Sequence, residues 1–129
     1  MNEDFVTYEL AVKLKEKGFD VPFYFYYRTD DKLIHHAMVT KPLVYCDKID
    51  DEVVCAPTIS QVLRLLRKKK IVVSILPTGY NKETGLPGYY YVIYDVAEYS
   101  WKKYEYPQSF ETWEECELGA IEYALDNLI

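Results

Sequence analysis

Five cations crowd one short stretch: Arg64, Arg67, Lys68, Lys69 and Lys70. Such a cluster suits a phosphate backbone or an acidic protein. It equally suits the last turn of a helix, whose dipole attracts positive charge. No aromatic residue interleaves with the cations, as a surface that stacks bases would need. The whole chain carries a net charge of −6, so acid prevails outside the patch. That balance opposes general binding to nucleic acid or to an anionic membrane.

His35 and His36 are the two histidines. Neighbours on a strand point to opposite faces, so the two rings cannot share a metal without a bulge. No cysteine or carboxylate stands at a recognised ligand spacing from them. Asp47, Asp50, Asp51 and Glu52 concentrate oxygen atoms but lack the glycine and the alternating acids of an EF-hand loop. They read as a solvated acidic loop. Residues 78–85, TGYNKETG, contain Gly, Lys and Thr without the G-x-x-x-x-G-K-[ST] order, and they join two strands rather than open a helix. The expectation is therefore no metal, no cofactor and no catalytic residue. Cys46, Cys55 and Cys116 are odd in number and form no C-x-x-C, which predicts three free thiols in a cytoplasmic protein. Cys116 falls on the apolar side of a helix and reads as a core residue. Cys46 or Cys55 would become a nucleophile only beside a histidine, and nothing beyond residue type places them there.

The elements that position these residues are organised around residues 56–77. Thr58 as N-cap and Gln61 three residues on form a capping box. Ile59, Val62, Leu63 and Leu66 recur at helical spacing and predict the buried stripe, with Arg64, Arg67 and Lys68 opposite. Residues 71–76, IVVSIL, follow at once as a β-branched run that predicts a buried, central strand. Upstream, Thr7 caps a first helix whose buried stripe is Leu10, Ala11 and Leu14. Gly18 ends that helix in a left-handed turn that lets Phe19 reach Leu14. Residues 23–27 predict a strand, 29–32 a polar turn and 33–39 its partner. Residues 40–57 read either as a loop or as a minor hairpin of 43–46 with 53–55. Residues 78–88 predict a hairpin loop to a fourth strand at 89–95. Residues 96–109 predict an irregular crossing. A last helix starts at Thr112, with Glu115 as its capping partner and Cys116, Ile121, Ala124, Leu125 and Leu128 on its apolar side.

Three segments, FVTYELAVKLKEKGF, APTISQVLRLLR and the C-terminal TWEE…AIEYALDNLI, resemble a group of short uncharacterised proteins. These occur in Bacteroides-type gut bacteria and in the phages or mobile elements they carry. The resemblance covers the three helices, about a third of the chain. That group often has tryptophan where this chain has Leu65. The resemblance implies a bacterial or phage cytoplasmic setting and a small accessory role, and it brings no site residue with it.

The predicted fold is one α+β domain over residues 1–129: a mainly antiparallel sheet of about four strands, with three helices in the order α-β-β-(loop)-α-β-β-α. At 129 residues, half of them hydrophobic and 28% charged, one domain can bury a core unaided. The first residues, MNEDFVTYEL, lack the basic and apolar regions of a signal peptide. No apolar run reaches the length of a membrane span. Of the fourteen tyrosines, seven fall in residues 23–27 and 89–94. A buried tyrosine must find a partner for its hydroxyl, so alternation is expected to turn Phe23 and Phe25 inward and Tyr24 and Tyr26 outward. Tyr90 and Tyr94 are expected to join them. The predicted function is a non-enzymatic protein-interaction module whose face bearing Tyr24, Tyr26, Tyr90 and Tyr94 meets either a protein partner or a second copy of the chain. The alternative is a nucleic-acid-associated accessory protein that uses the basic run.

Overall fold

Capping chemistry sets the first helix. In the computed structural model, which describes residues 5–19, 25–36, 53–80, 82–96, 101–105 and 109–129, helix α1 spans Tyr8–Glu16. The Thr7 side chain accepts from the Leu10 amide, and Leu10, Ala11 and Leu14 are buried as their spacing predicts. At its end Gly18 takes φ +74°. The Phe19 amide then donates to Leu14 O, and the Gly18 amide to Lys15 O. This Schellman closure satisfies carbonyls that the helix leaves open.

The chain divides into two compact units, Met1–Gln61 and Val62–Ile129. In the first, β1 (Phe25–Arg28) lies between β2 (Ile34–His36) and β3 (Val53–Cys55), antiparallel to both. Of the two readings of residues 40–57, residues 53–55 are a strand, and they pair with β1. Residues 43–46 lie outside the described residues. Phe25 packs edge-on against Phe5, and Tyr27 against Tyr8. Tyr27 is buried, and its hydroxyl donates to Val6 O at 2.6 Å. Lys15 Nζ donates to Val53 O, tying α1 to β3.

Helix α2 spans Ile59–Lys68, and the unit boundary falls inside it. Its capping box closes in both directions: the Thr58 amide donates to Gln61 Oε1 at 2.9 Å and the Gln61 amide to Thr58 Oγ1 at 3.2 Å. Ile59, Val62 and Leu66 are buried. Leu63 is half-buried, a correction to the predicted stripe: it sits on the flank of the helix rather than at its centre. Lys70, at φ +66°, turns the chain sharply out of the helix into the next strand.

In the second unit β4 (Ile71–Tyr80), β5 (Pro87–Val96) and β6 (Trp101–Glu105) form an antiparallel sheet in that order. The fold is thus α+β with two three-stranded antiparallel sheets, where a single sheet of about four strands was expected. Two causes account for the difference. Strand β1 takes β3 as a second partner. Residues 101–105, expected to be irregular, pair with β5 and set Lys102 opposite Asp95, a favourable cross-strand charge pair. The β4–β5 hairpin also runs further than expected. A register shift between Pro77 and Gly79 absorbs the proline, and pairing resumes with Gly79 opposite Gly88.

Helix α3 (Trp113–Asn127) starts where predicted, with Thr112 Oγ1 accepting from the Glu115 amide. It buries Cys116, Ala120, Ile121, Ala124 and Leu125. An aromatic seam joins it to the sheet: Tyr123 packs beside Tyr91 and Tyr104, and Trp113 meets Tyr89 edge-on. Gly119 lets the Phe110 ring lie against the helix, since a Cβ there would come within 2.8 Å of that ring. Among the described residues no helix is long and apolar enough to cross a membrane.

Candidate functional site

Strand parity decides where the tyrosines point. On β5 the odd positions Tyr91 and Ile93 are buried, and Tyr91 packs beside Tyr123 of α3. Tyr90, Val92 and Tyr94 take the opposite face, where register sets them beside Leu76, Ser74 and Val72 of β4. Tyr90 and Tyr94 are half-buried, whereas Val92 between them is fully buried. The face therefore keeps a covered centre and partly solvated flanks. Leu76, at 38% exposure, and Val96, at 39%, are its most open apolar residues.

Tyr26 is half-buried on β1 and stacks on the His35 ring, with centroids 5.5 Å apart. It belongs to the other sheet. The expected tyrosine surface of Tyr24, Tyr26, Tyr90 and Tyr94 is thus not one face of one sheet, because two separate ladders carry its members. Tyr24 lies outside the described residues.

The basic residues lie as their spacing predicts. Arg64, Arg67, Lys68, Lys69 and Lys70 are all exposed, the first three along α2 and the last two in the turn after it. Arg67 and Lys68 occupy the last turn of the helix, where the dipole favours them.

The His35 ring lies 3.0 Å from Asp31 Oδ2. Asp31 in turn accepts from the Leu33 amide, and that bond, with the His35 contacts, holds its carboxyl below the usual range. This is a turn lock, with both side chains partly in water. The acidic residues 47–52 lie outside the described residues. Among the described residues no cluster of three His, Cys, Asp or Glu side chains is placed to hold a metal.

The cysteines do not follow the sequence expectation. Cys55 is in a disulfide, so the reading of three free thiols is overturned. An odd count leaves one thiol unpaired without preventing a pair among the rest. Cys116 is free and fully buried in α3. Burial, with Glu117 adding to it, pushes that thiol up to about 11, so it stays protonated and unreactive at neutral pH. Cys46 lies outside the described residues.

A groove of about 320 Å³ opens at the hairpin end of the second unit, lined in part by Thr78, Thr84, Leu86, Ser109, Phe110 and Glu111. Gly88 admits the close approach of its walls, since a Cβ there would meet Ser109 Oγ and Thr78 Oγ1. Ser109 Oγ lies 3.5 Å from Thr78 Oγ1, a hydroxyl that cannot act as a base toward it. These groups can hold a polar ligand but do not form an activated nucleophile.

Among the described residues β4 is an outer strand, a correction to the central strand that its apolar run predicts. It runs for ten residues with β5 on one side and, among the described residues, no strand on the other. No family model matches the chain, and no curated protein or solved structure matches it either.

Proposed function

We propose that the protein is a non-enzymatic module that works by binding another protein chain. The observation that carries this reading is the partly solvated apolar surface of the second sheet. Val72, Leu76, Tyr90 and Tyr94 share one face there, and all retain exposure to water. Tyrosines offer large contact area with a polar tip that tolerates solvent until a partner arrives. Chemical crosslinking in cells that express the protein tests the reading. A crosslinked species should form with the parent and be lost with Tyr90→Ser/Tyr94→Ser. Absence of any crosslinked species from the parent would overturn the reading.

The second reading is contact with nucleic acid through Arg64, Arg67, Lys68, Lys69 and Lys70, supported by the exposure of all five side chains. Phosphate contacts give affinity that falls steeply with salt. Sub-micromolar binding to duplex DNA, lost with Lys68→Glu/Lys69→Glu/Lys70→Glu, would favour it over the first.

The resemblance of the three helices also implies a bacterial or phage cytoplasmic setting. The disulfide at Cys55 argues against its cytoplasmic part, because reducing compartments keep thiols free. Titration of unreduced, denatured protein taken from its native cells decides the point: three thiols place it in a reducing compartment and one thiol outside.

A further inference from the structure

The groove at the hairpin end of the second unit is built from two segments that meet over a glycine. On one side the β4–β5 hairpin supplies Thr78, Thr84 and Leu86. The Leu86 amide donates to Thr84 Oγ1 at 3.3 Å, which shapes that wall. On the other side a two-way backbone bond pins residues 109–111 beside β5. The Tyr89 amide donates to Phe110 O at 2.9 Å and the Phe110 amide to Tyr89 O at 2.7 Å. Gly88 lies between the walls, and its missing Cβ leaves the space in which Thr78 Oγ1 and Ser109 Oγ approach to 3.5 Å. A good bond between hydroxyls is shorter, about 2.7–2.8 Å, so this pair leaves each oxygen able to accept from a third group.

The direction of the absent Cβ also fixes the face on which the groove opens. Gly88 and Tyr90 have the same parity on β5. The two hydroxyls therefore stand on the sheet face that carries Tyr90 and, across the ladder, Leu76. A protein chain lying over that face reaches the groove at its hairpin end.

The lining selects charge. Among the described residues, Glu111 is the one charged side chain that lines the groove, and it is exposed. With Thr78 and Ser109 it offers three acceptor groups. The positive end of α3 lies just beyond it, but Glu114 and Glu115 in the first turn offset that end. An anion is thus disfavoured here. Phe110 lays its ring against Gly119 and Tyr91, so it is no platform for stacking a saccharide. Leu86, 64% exposed, leaves an apolar wall in water beside Pro87.

We propose that this groove takes a lysine side chain of the partner protein. Its ammonium donates to Thr78 Oγ1, Ser109 Oγ and the Glu111 carboxylate, and its aliphatic stem lies along Leu86 and Pro87. The inference rests on the protein-binding reading and names the anchor by which the partner is held. An ammonium has three N–H donors and no acceptor, which matches three acceptor groups. Lysine stems settle on apolar surface while the charge stays at a polar end. The volume of about 320 Å³ is small for a ligand cavity and suits a single long side chain.

Titration of the full chain with Nα-acetyl-lysine methylamide, followed by nuclear magnetic resonance, tests the proposal. Nα-acetyl-norleucine methylamide, which keeps the stem and lacks the ammonium, and inorganic phosphate are the comparison probes. The lysine probe is expected to shift the amide resonances of Gly79, Gly88 and Ser109 and to saturate at roughly millimolar concentration, as befits so small a ligand. Both comparison probes should bind at least about tenfold more weakly. Glu111→Gln should weaken the lysine probe about tenfold and Thr78→Val about threefold, with unchanged circular dichroism spectra showing that both variants are folded. An equal response to the norleucine probe or to phosphate overturns the proposal. So does unaltered binding in folded Glu111→Gln protein, or a parent whose resonances do not move. In those cases a crosslinked chain that still depends on Tyr90 and Tyr94 leaves the protein-binding reading standing without this anchor. Probe binding with no crosslinked chain overturns the protein-binding reading, and with it the partner named here.

Discussion

Each unit contains one three-stranded antiparallel sheet, yet the two are built differently. In the first, the earliest strand is central and both its neighbours follow it in sequence, giving β2-β1-β3. In the second, the strands follow one another as a meander, β4-β5-β6. The first unit's strands span four, three and three residues. The second unit's span ten, ten and five, under a helix of fifteen. Long elements bury enough apolar surface to hold themselves together. Short ones need point attachments, and the first unit has them: the Cys55 disulfide, the Tyr27 hydroxyl on Val6 O and the Lys15 ammonium on Val53 O. The difference teaches that one chain can stabilise similar sheets by burial in one place and by stitching in another.

The comparison breaks most visibly where burial does the holding. Ile121→Ala in α3 and Leu66→Ala in α2 each remove a fully buried side chain and should destabilise by about 2–5 kcal/mol. Thermal unfolding measures the effect. A variant that melts within a degree or two of the parent would show that the second unit does not depend on this core.

Reduction of the disulfide should act on the first unit alone, at about 2–4 kcal/mol. Hydrogen exchange should quicken in α1 and β3 while β4 and β5 keep their protection. Before reduction, the denatured protein should titrate with one thiol per chain. Equal loss of protection in both units would remove the distinction between stitching and burial.

The sequence made the helices legible because their signals are local. Thr7, Thr58 and Thr112 each cap a helix through a bond to the amide three residues on. Gly18 and its flanking residues close α1 within a few positions. The sheets were less legible because pairing is not local. Residues 53–55 look like half of a hairpin until β1 supplies their partner. Residues 101–105 look irregular because Trp101, Lys102, Lys103 and Glu105 offer no clean alternation; their order comes from the Asp95–Lys102 match and from Tyr104 against Tyr123. The tyrosine surface failed as a single face for the same reason. Parity tells which residues share a face within one strand, but not which strands share a sheet. Likewise, the disulfide depends on a meeting in space that cysteine spacing does not reveal.

Tyr27→Phe sharpens the role of stitching at smaller scale. It removes the hydroxyl while keeping the ring against Tyr8, and should cost about 0.5–1.5 kcal/mol. Burial raises the Tyr27 phenol above its ordinary 10.0, with Glu9 adding to the shift. A raised value means that the folded state favours the protonated phenol. Its contribution is thus fully present below pH 10 and is lost as pH rises through the folded value. The parent should therefore lose stability in alkali more steeply than Tyr27→Phe. Identical alkaline limbs would remove Tyr27 from the set of attachments.

The smallest effect belongs to the turn that leads into β2. Asp31 is in water, yet its carboxyl lies below the ordinary 3.8, chiefly because the Leu33 amide donates to it and secondarily through His35. A lowered value means that the folded state favours the carboxylate. The contribution is therefore present above about 3.8 and is lost as pH falls through the lower folded value, the reverse of the Tyr27 case. Solvent screening keeps it slight, so global unfolding is the wrong measurement. The carboxyl carbon resonance of Asp31 should titrate with a midpoint below the ordinary value. In Asp31→Asn the Leu33 amide should exchange faster, while the melting temperature stays nearly unchanged. A midpoint at or above 3.8 would mean that the Leu33 bond does not persist in solution, and the turn would then owe its shape to backbone preference alone.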